Sequence, residues 1–253
     1  MGFLGDVVDF LTNSDQWQGD ESIPHLLGQH VQLTIVSVLV AAVVALPIGI
    51  LLGHVRTGGT VAVNIANIGR ALPAFALLIL SVQWVGIGEP TGVLAPVQSV
   101  SAFIAMFALA VPPMLANAYV GMASVDDEIR ESARGMGMSG RQMIWRVELP
   151  NAVPLVMAGV RTATVAVVAT ATLAAYVDSG GFGRYIVDGF AVNDNVKVFA
   201  GGLLVALLAI ALELLLALVQ RWLTSPGIRS EAKITVRELA TNRFVPTAGG
   251  PAL

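Results

Sequence analysis

The chain has 253 residues, 55% of them hydrophobic and only 12% charged, with a mean hydropathy of +0.76. Soluble domains carry about 25% charged residues, so this composition is that of an integral membrane protein. A net charge of −3 offers no basic field for nucleic acid, and the absence of cysteine excludes disulfides, thiolate catalysis and cysteine metal sites.

Residues 1–30 are acidic through Asp6, Asp9, Asp15, Asp20 and Glu21. They lack the basic start and continuous apolar core of a cleavable signal, and Asp6 stands where myristoylation needs Ser or Thr. Phe3, Leu4, Val7, Val8, Phe10 and Leu11 predict a short helix lying at the membrane interface.

Runs of about 20 apolar residues then mark five spans, which place the termini on opposite sides. The first, 31–53, is bracketed by His30 and His54. The second, 60–87, carries Asn64, Asn67 and Arg70 and is expected to break near Pro73, because proline removes a donor and clashes with the preceding turn. The third, 94–121, contains Pro112–Pro113, a second expected kink. The fourth and fifth are 152–177 and 196–220. Together, residues 31–223 form the expected membrane domain, and 224–253, rich in Ser, Thr, Pro, Gly and charge, the expected cytoplasmic tail.

Orientation follows from Lys and Arg in the short connections. Arg56, Arg70, Arg130, Arg134, Arg141, Arg146, Arg221, Arg229, Lys233, Arg237 and Arg243 lie on one side, eleven against Arg184 and Lys197 on the other. The richer side reads as cytoplasmic and the N-terminus as external.

Between spans three and four, about 124–150, lies a polar island. Asp126 or Asp127 can cap a helix that aligns Ile129, Ala133 and Met136, and Gly135 and Gly137 permit a turn after it. Ser139 with Gln142 has the form of a capping box and opens a second short helix with Met143, Ile144 and Val147 on one side. Leu149–Pro150 is expected to end that helix and start the next span.

Two charges lie deep in spans. Arg161 is 11 residues after Pro150 and Glu213 is 11 before Thr224, so each sits about 16 Å from the cytoplasmic end of its helix. An unpaired charge at such depth costs several kcal/mol, and an Arg161–Glu213 ion pair is expected.

No phosphate-binding loop is present, since Lys197 and Lys233 follow Val196 and Ala232 rather than glycine. His-Glu-x-x-His and Gly-x-Ser-x-Gly are also missing. His25, His30 and His54 are scattered, support no metal site or triad, and read as markers of membrane interfaces. The chain is expected to be a non-enzyme without a cofactor of its own.

The island resembles the coupling loop of permease subunits in ATP-binding-cassette importers. The matching positions are Glu131, Ala133, Gly137, Val147, Leu149 and Pro150, with Ser132 in place of the pattern's first alanine. Over residues 64–224 the resemblance narrows. Arg70-Ala-Leu-Pro-Ala-Phe-Ala-Leu-Leu78, Pro112-Pro-Met-Leu-Ala-Asn-Ala-Tyr-Val-Gly121, Ala158-Gly-Val-Arg-Thr-Ala-Thr164 and Thr172-Leu-Ala-Ala-Tyr-Val-Asp-Ser-Gly-Gly-Phe-Gly183 look like permeases of the osmoprotectant type. Where many relatives carry Ile-Gly-Ala before the glycine pair, this chain has Tyr176-Val-Asp178-Ser179.

The resemblance implies an all-α, type I importer permease in the cytoplasmic membrane, importing glycine betaine, carnitine or choline. Its implied partners are two ATPase subunits holding ATP and magnesium, a second permease subunit, an extracellular substrate-binding protein and membrane lipid. Pro73, Phe75, Asn117 and Tyr119 are the candidates for lining the pathway, with Trp84, Phe103, Phe107 and Tyr176 as further aromatics in or near spans. Gly180, Gly181 and Gly183 are candidates for an extracellular gate or docking turn, against the plainer reading of a flexible connection. The competing functions are a permease for methionine or another small solute, and a channel or scaffold without ATP coupling.

Overall fold

The computed structural model describes residues 2–86, 99–177 and 179–225, which are helices and turns without a strand among them. Expectations for Asp178, for the start of the third span and for the tail with Arg229, Lys233, Arg237 and Arg243 lie outside the described residues. Helix α1 is Phe3–Thr12, α2 Ile23–Val55, α3 Gly59–Ala71, α4 Ala74–Val85 and α5 Val100–Ala123. After them come α6 Asp127–Gly135, α7 Gly140–Met143, α8 Leu149–Ala171, α9 Gly183–Ala191 and α10 Asn195–Leu223. Among the described residues four helical rods are long and apolar enough to cross a membrane, or five if the bent α3–α4 pair counts as one span.

The bundle is organised around α5, which packs against α2, α3, α4 and α8. Of its most apolar stretch 56% is buried within the chain, against 6% for α10. Glycine sets the spacing. A methyl group at Gly49 would lie 2.7 Å from the Leu115 carbonyl oxygen, and one at Gly53 would lie 2.7 Å from that of Tyr119, so α2 and α5 meet backbone to backbone. Gly159 does the same for α8, where a methyl would stand 2.8 Å from the Pro113 carbonyl oxygen. Small residues at such contacts matter more in lipid than in water, because burial of apolar surface no longer drives helices together.

The break expected at Pro73 is present. Leu72 is extended at φ −77°, ψ 122°, as the residue before a proline prefers, and α3 and α4 meet at 90°. By contrast α5 runs unbroken through Pro112–Pro113, and Gly69 of α3 fits against the Pro112 ring, where a side chain would collide.

Two boundaries differ from expectation. α2 begins at Ile23 rather than residue 31, because Ser22 caps it through the His25 amide (3.4 Å) and Pro24 sits in its first turn, where no donor is needed. His30 is therefore inside the helix and buried, its Nε2 3.0 Å from the Val168 carbonyl oxygen. Leu149–Pro150 also fails to end a helix. A π-helical segment, Ile144–Glu148, joins α7 to α8, and the Leu149 amide bonds back five residues to Ile144. Widening the helix just ahead of Pro150 accommodates a residue that cannot donate and would crowd the preceding turn. The result is one helical rod, Gly140–Val177.

The N-terminal helix α1 lies against α10 and α9. Phe3 meets Phe199 edge to face at 5.4 Å, Phe10 meets Tyr185 at 5.8 Å, and Val7 is buried.

Candidate coupling site and pathway surfaces

The polar island folds as a knob whose caps follow from its sequence. The Asp126 carboxylate accepts from the Glu128 amide at 2.9 Å and opens α6. At the other end Gly137 adopts φ +79°; its amide donates to the Arg134 carbonyl (2.9 Å) and the Met138 amide to that of Ala133 (3.2 Å). This is a glycine-closed helix end in which a side chain would be strained. Ser139 and Gln142 form the expected capping box, Ser139 N–H donating to Gln142 Oε1 at 2.8 Å and Gln142 N–H to Ser139 Oγ at 3.4 Å.

Between α6 and the π segment lies a surface groove of about 350 Å³, lined by Glu128, Ile129, Ser132, Ala133, Met136 and Val147. Ala133 forms its buried floor, while Ile129, Met136 and the nearby Trp145 are exposed. Of the motif residues, Glu131 and Ser132 are exposed, Gly137 is the turn, and Leu149 packs toward Ala118, Met122, Ala152 and Val156. Around Gly137 no atom of the described residues stands within 4 Å of an added methyl, so among them the glycine answers to backbone conformation rather than to crowding.

Beneath the knob lies a charge cluster that the sequence reading missed. Glu148 is 0% exposed and Arg130 3%. His54 Nδ1 stands 2.6 Å from Glu148 Oε2, and Arg130 Nη1 stands 3.3 Å from Glu148 Oε1. Arg130 also donates to the carbonyls of His54 (3.1 Å) and Met122 (2.7 Å), in the last turns of α2 and α5. Burial pushes the Arg130 guanidinium below its ordinary pKa, an effect that the Glu148 carboxylate opposes. Arg56 adds a second link, pairing with Asp127 and donating to the Val125 carbonyl at 2.8 Å. One signal was legible: Arg130 precedes buried Ala133 by three residues and shares its helix face.

Of the pathway candidates, Pro73 and Phe75 are exposed at the α3–α4 break. Phe75 meets Tyr176, also exposed, at 5.8 Å and 72°. Asn117 instead turns back on its own helix, donating to the Pro113 carbonyl at 2.8 Å, and Tyr119 lies against Gly59 at the start of α3. The structure thus brings Phe75 to Tyr176 and leaves Asn117 and Tyr119 in interhelical packing.

The Ser179–Gly183 turn is packed rather than loose. Gly181 has φ +93°, its amide donates to Gln29 Oε1 at 3.0 Å, and a methyl on it would stand 3.0 Å from His30 Nδ1. Phe182 is 2% exposed beside the His30 ring, and a side chain at Gly183 would collide with the Thr172 carbonyl. Gly180 lies between these contacts and Ser179, whose amide donates to Ala174 at 3.1 Å.

Arg161 and Glu213 meet. Arg161 Nε donates to Glu213 Oε1 at 3.0 Å, Nη2 also pairs with Glu213, and Nη1 donates to Gln220 Oε1 at 2.7 Å. Gln220 in turn donates to the Pro154 carbonyl at 3.3 Å, which ties α10 to α8 twice.

An all-helical bundle with apolar rods long enough to cross a membrane and a capped two-helix knob at one end is the architecture of a multi-pass membrane protein. Residues 45–225 match the family described as binding-protein-dependent transport system inner membrane component, and the chain belongs to that family. The glycine betaine/carnitine/choline transport system permease protein OpuCB of Bacillus subtilis is 32% identical over 82% of this chain and 91% of its own length. The choline transport system permease protein OpuBB of the same organism is 33% identical over 79% and 88%. The osmoprotectant import permease protein OsmY of Salmonella typhimurium is 36% identical over 76% and 78%. In fold the chain is similar to the permease in an inward-facing structure of the MetNI methionine ABC transporter, with TM-score 0.67 and 21% identity, covering 80% of this chain and 96% of that one. The chain is a multi-pass membrane permease subunit of the ABC-importer class.

Proposed function

We propose that this subunit imports quaternary-ammonium osmoprotectants such as glycine betaine, carnitine or choline, driven by a separate ATPase that docks on the knob formed by residues 127–150. The observation that carries the coupling reading is the knob itself. Its groove is apolar and open, Ile129, Met136 and Trp145 are exposed beside it, and the far side runs without interruption into the α8 rod. Exposed apolar surface next to a fixed lever fits a docking surface for a moving partner. ATP and magnesium then belong to the ATPase, and two such ATPases act on a pair of permease subunits, identical or homologous, supplied by an external binding protein.

The substrate class is supported by the names of the relatives at 32–36% identity. It is supported also by Phe75 and Tyr176, whose rings stand near a right angle at the broken helix and offer aromatic faces to a cation without a strong, closed cage. A pathway must bind weakly enough to release. The similarity to a methionine transporter is one of fold and carries no substrate.

The charge bias supports an orientation with the N-terminus outside and the C-terminus inside. Because the native chain has no cysteine, single cysteines report topology cleanly: an impermeant external reagent should label Asp15→Cys and Val192→Cys and spare Ser139→Cys. Labelling at position 139 in intact cells overturns this orientation. Co-purification with an ATPase whose hydrolysis rises with loaded binding protein tests coupling; a chain that purifies alone and conducts without ATP is a channel or scaffold.

A further inference from the structure

Glu148 is a buried carboxylate at the meeting point of four segments, and nothing in the docking surface requires it. It is turned inward from the π segment, bound by His54 from the end of α2 and faced by Arg130 from α6. Arg130 reaches past it to the terminal carbonyls of α2 and α5. A π turn adds one residue to a helix and so shifts the two flanking stretches by about 100° relative to each other. Here that phase lets Glu148 enter the charge cluster while Leu149 faces the apolar contact with α5.

Apolar packing could hold these ends together but would leave them free to slide. Hydrogen-bonded charges in a water-poor interior fix both distance and direction. The cluster also holds an unsaturated contact. Arg130 Nη1 stands between the His54 carbonyl at 3.1 Å and Glu148 Oε1 at 3.3 Å, and among the described residues Glu148 Oε1 has no hydrogen bond. Nη1 carries two N–H groups, one on the His54 carbonyl and one facing the Glu148 carboxylate, so a single guanidinium spans the end of α2 and the π segment.

We propose that Glu148, Arg130 and His54 form the joint through which movement of the coupling knob reaches α2 and α5, making them positioning residues for transport rather than contacts to the ATPase. The inference rests on the coupling reading above. Each of the three side chains touches a different moving part. His54 belongs to α2 and its Nε2 also faces Gly140, 3.6 Å from a methyl placed there; Arg130 belongs to α6; Glu148 belongs to the π segment that runs into α8.

The test uses the complete transporter, with ATPase and binding protein, in proteoliposomes loaded with ATP, and reads uptake of glycine betaine, carnitine and choline, each supplied in turn, together with phosphate release. Glu148→Gln and His54→Leu should assemble and hydrolyse ATP while uptake per ATP falls about tenfold. His54→Gln, which keeps a donor amide, should recover most of the ratio. If uptake and hydrolysis fall in step in all three variants, the cluster is structural only and the joint is refuted. A second measurement does not depend on activity: spin labels on Thr57→Cys and Arg141→Cys should give one narrow distance distribution, broadened by Glu148→Gln. A broad distribution in the otherwise native subunit also refutes the joint. If instead the native complex shows no ATP-dependent uptake while the label pair stays narrow, the coupling reading fails and the joint stands as a mechanical unit.

Discussion

Two arginine–glutamate pairs hold this molecule together, and they occupy opposite environments. Arg130 and Glu148 sit sealed beneath the knob, 3% and 0% exposed, with His54 and two helix-end carbonyls completing the cluster. Arg161 and Glu213 sit halfway along α8 and α10 with about a third of each side chain exposed on the isolated subunit, and Gln220 takes the remaining guanidinium edge. The first pair ties α6 and the π segment to the ends of α2 and α5; the second staples two helices to each other. Identical chemistry thus serves as a hub in one place and as a clip in the other, and the difference lies in how many elements depend on each arginine.

That contrast sets the order of expected effects. Arg130→Met leaves Glu148 buried without a cation and should cost about 3–5 kcal/mol, read as thermal unfolding in detergent. The double variant Arg130→Met with Glu148→Leu should regain much of that stability, because it removes the stranded charge. A small loss in the single variant would put the hub on a par with the clip.

A buried polar group at the opposite end of the bundle sharpens the contrast. The Tyr185 hydroxyl donates to the Glu21 carbonyl at 2.7 Å, and burial, aided by the Glu21 carboxylate, pushes its pKa up to about 12. A folded pKa above the unfolded value of about 10 means that the contribution is fully present below pH 10 and lost as pH rises toward 12. Over that window about 2–3 kcal/mol should disappear, and Tyr185→Phe should remove this part of the pH dependence. Tyrosinate absorbance at pH 10 that the native fold shows and Tyr185→Phe lacks would contradict it.

At the clip, Arg161→Gln or Glu213→Gln should each cost about 1–2 kcal/mol, the scale of polar links between membrane helices. The exchanged pair, Arg161→Glu with Glu213→Arg, should recover part of the loss. If Glu213→Gln is silent while Arg161→Gln abolishes folding and uptake, Arg161 answers to Gln220 or another group. Smallest of all, Glu131→Ala should leave stability within about 0.5 kcal/mol, since the side chain is exposed and makes no ion pair among the described residues. Its uptake should nonetheless fall; unchanged uptake would remove Glu131 from the docking rim.

What the sequence disclosed was whatever local chemistry determines. The capping box at Ser139, the glycine turn at Gly137, the break at Pro73 and the matched depths of Arg161 and Glu213 all follow from spacing, and each has its counterpart in the structure. Burial across helices was not legible. His30 and His54 read alike as boundary markers, yet one is buried against Val168 and the other holds Glu148, because each role is set by a partner about a hundred residues away. Pro150 misled for a related reason: its rule assumes an α-helix, and the π turn before it supplies a different one. The contacts of Asn117 with the Pro113 carbonyl and of Tyr119 with Gly59 were not legible either.

The most direct test is uptake by the reconstituted transporter, with radiolabelled glycine betaine, choline and carnitine supplied one at a time against excess unlabelled methionine. ATP-dependent accumulation of at least one quaternary ammonium, unaffected by methionine and lost when the ATPase is omitted, is the expected result. Accumulation without ATP, or transport of methionine alone, would contradict it.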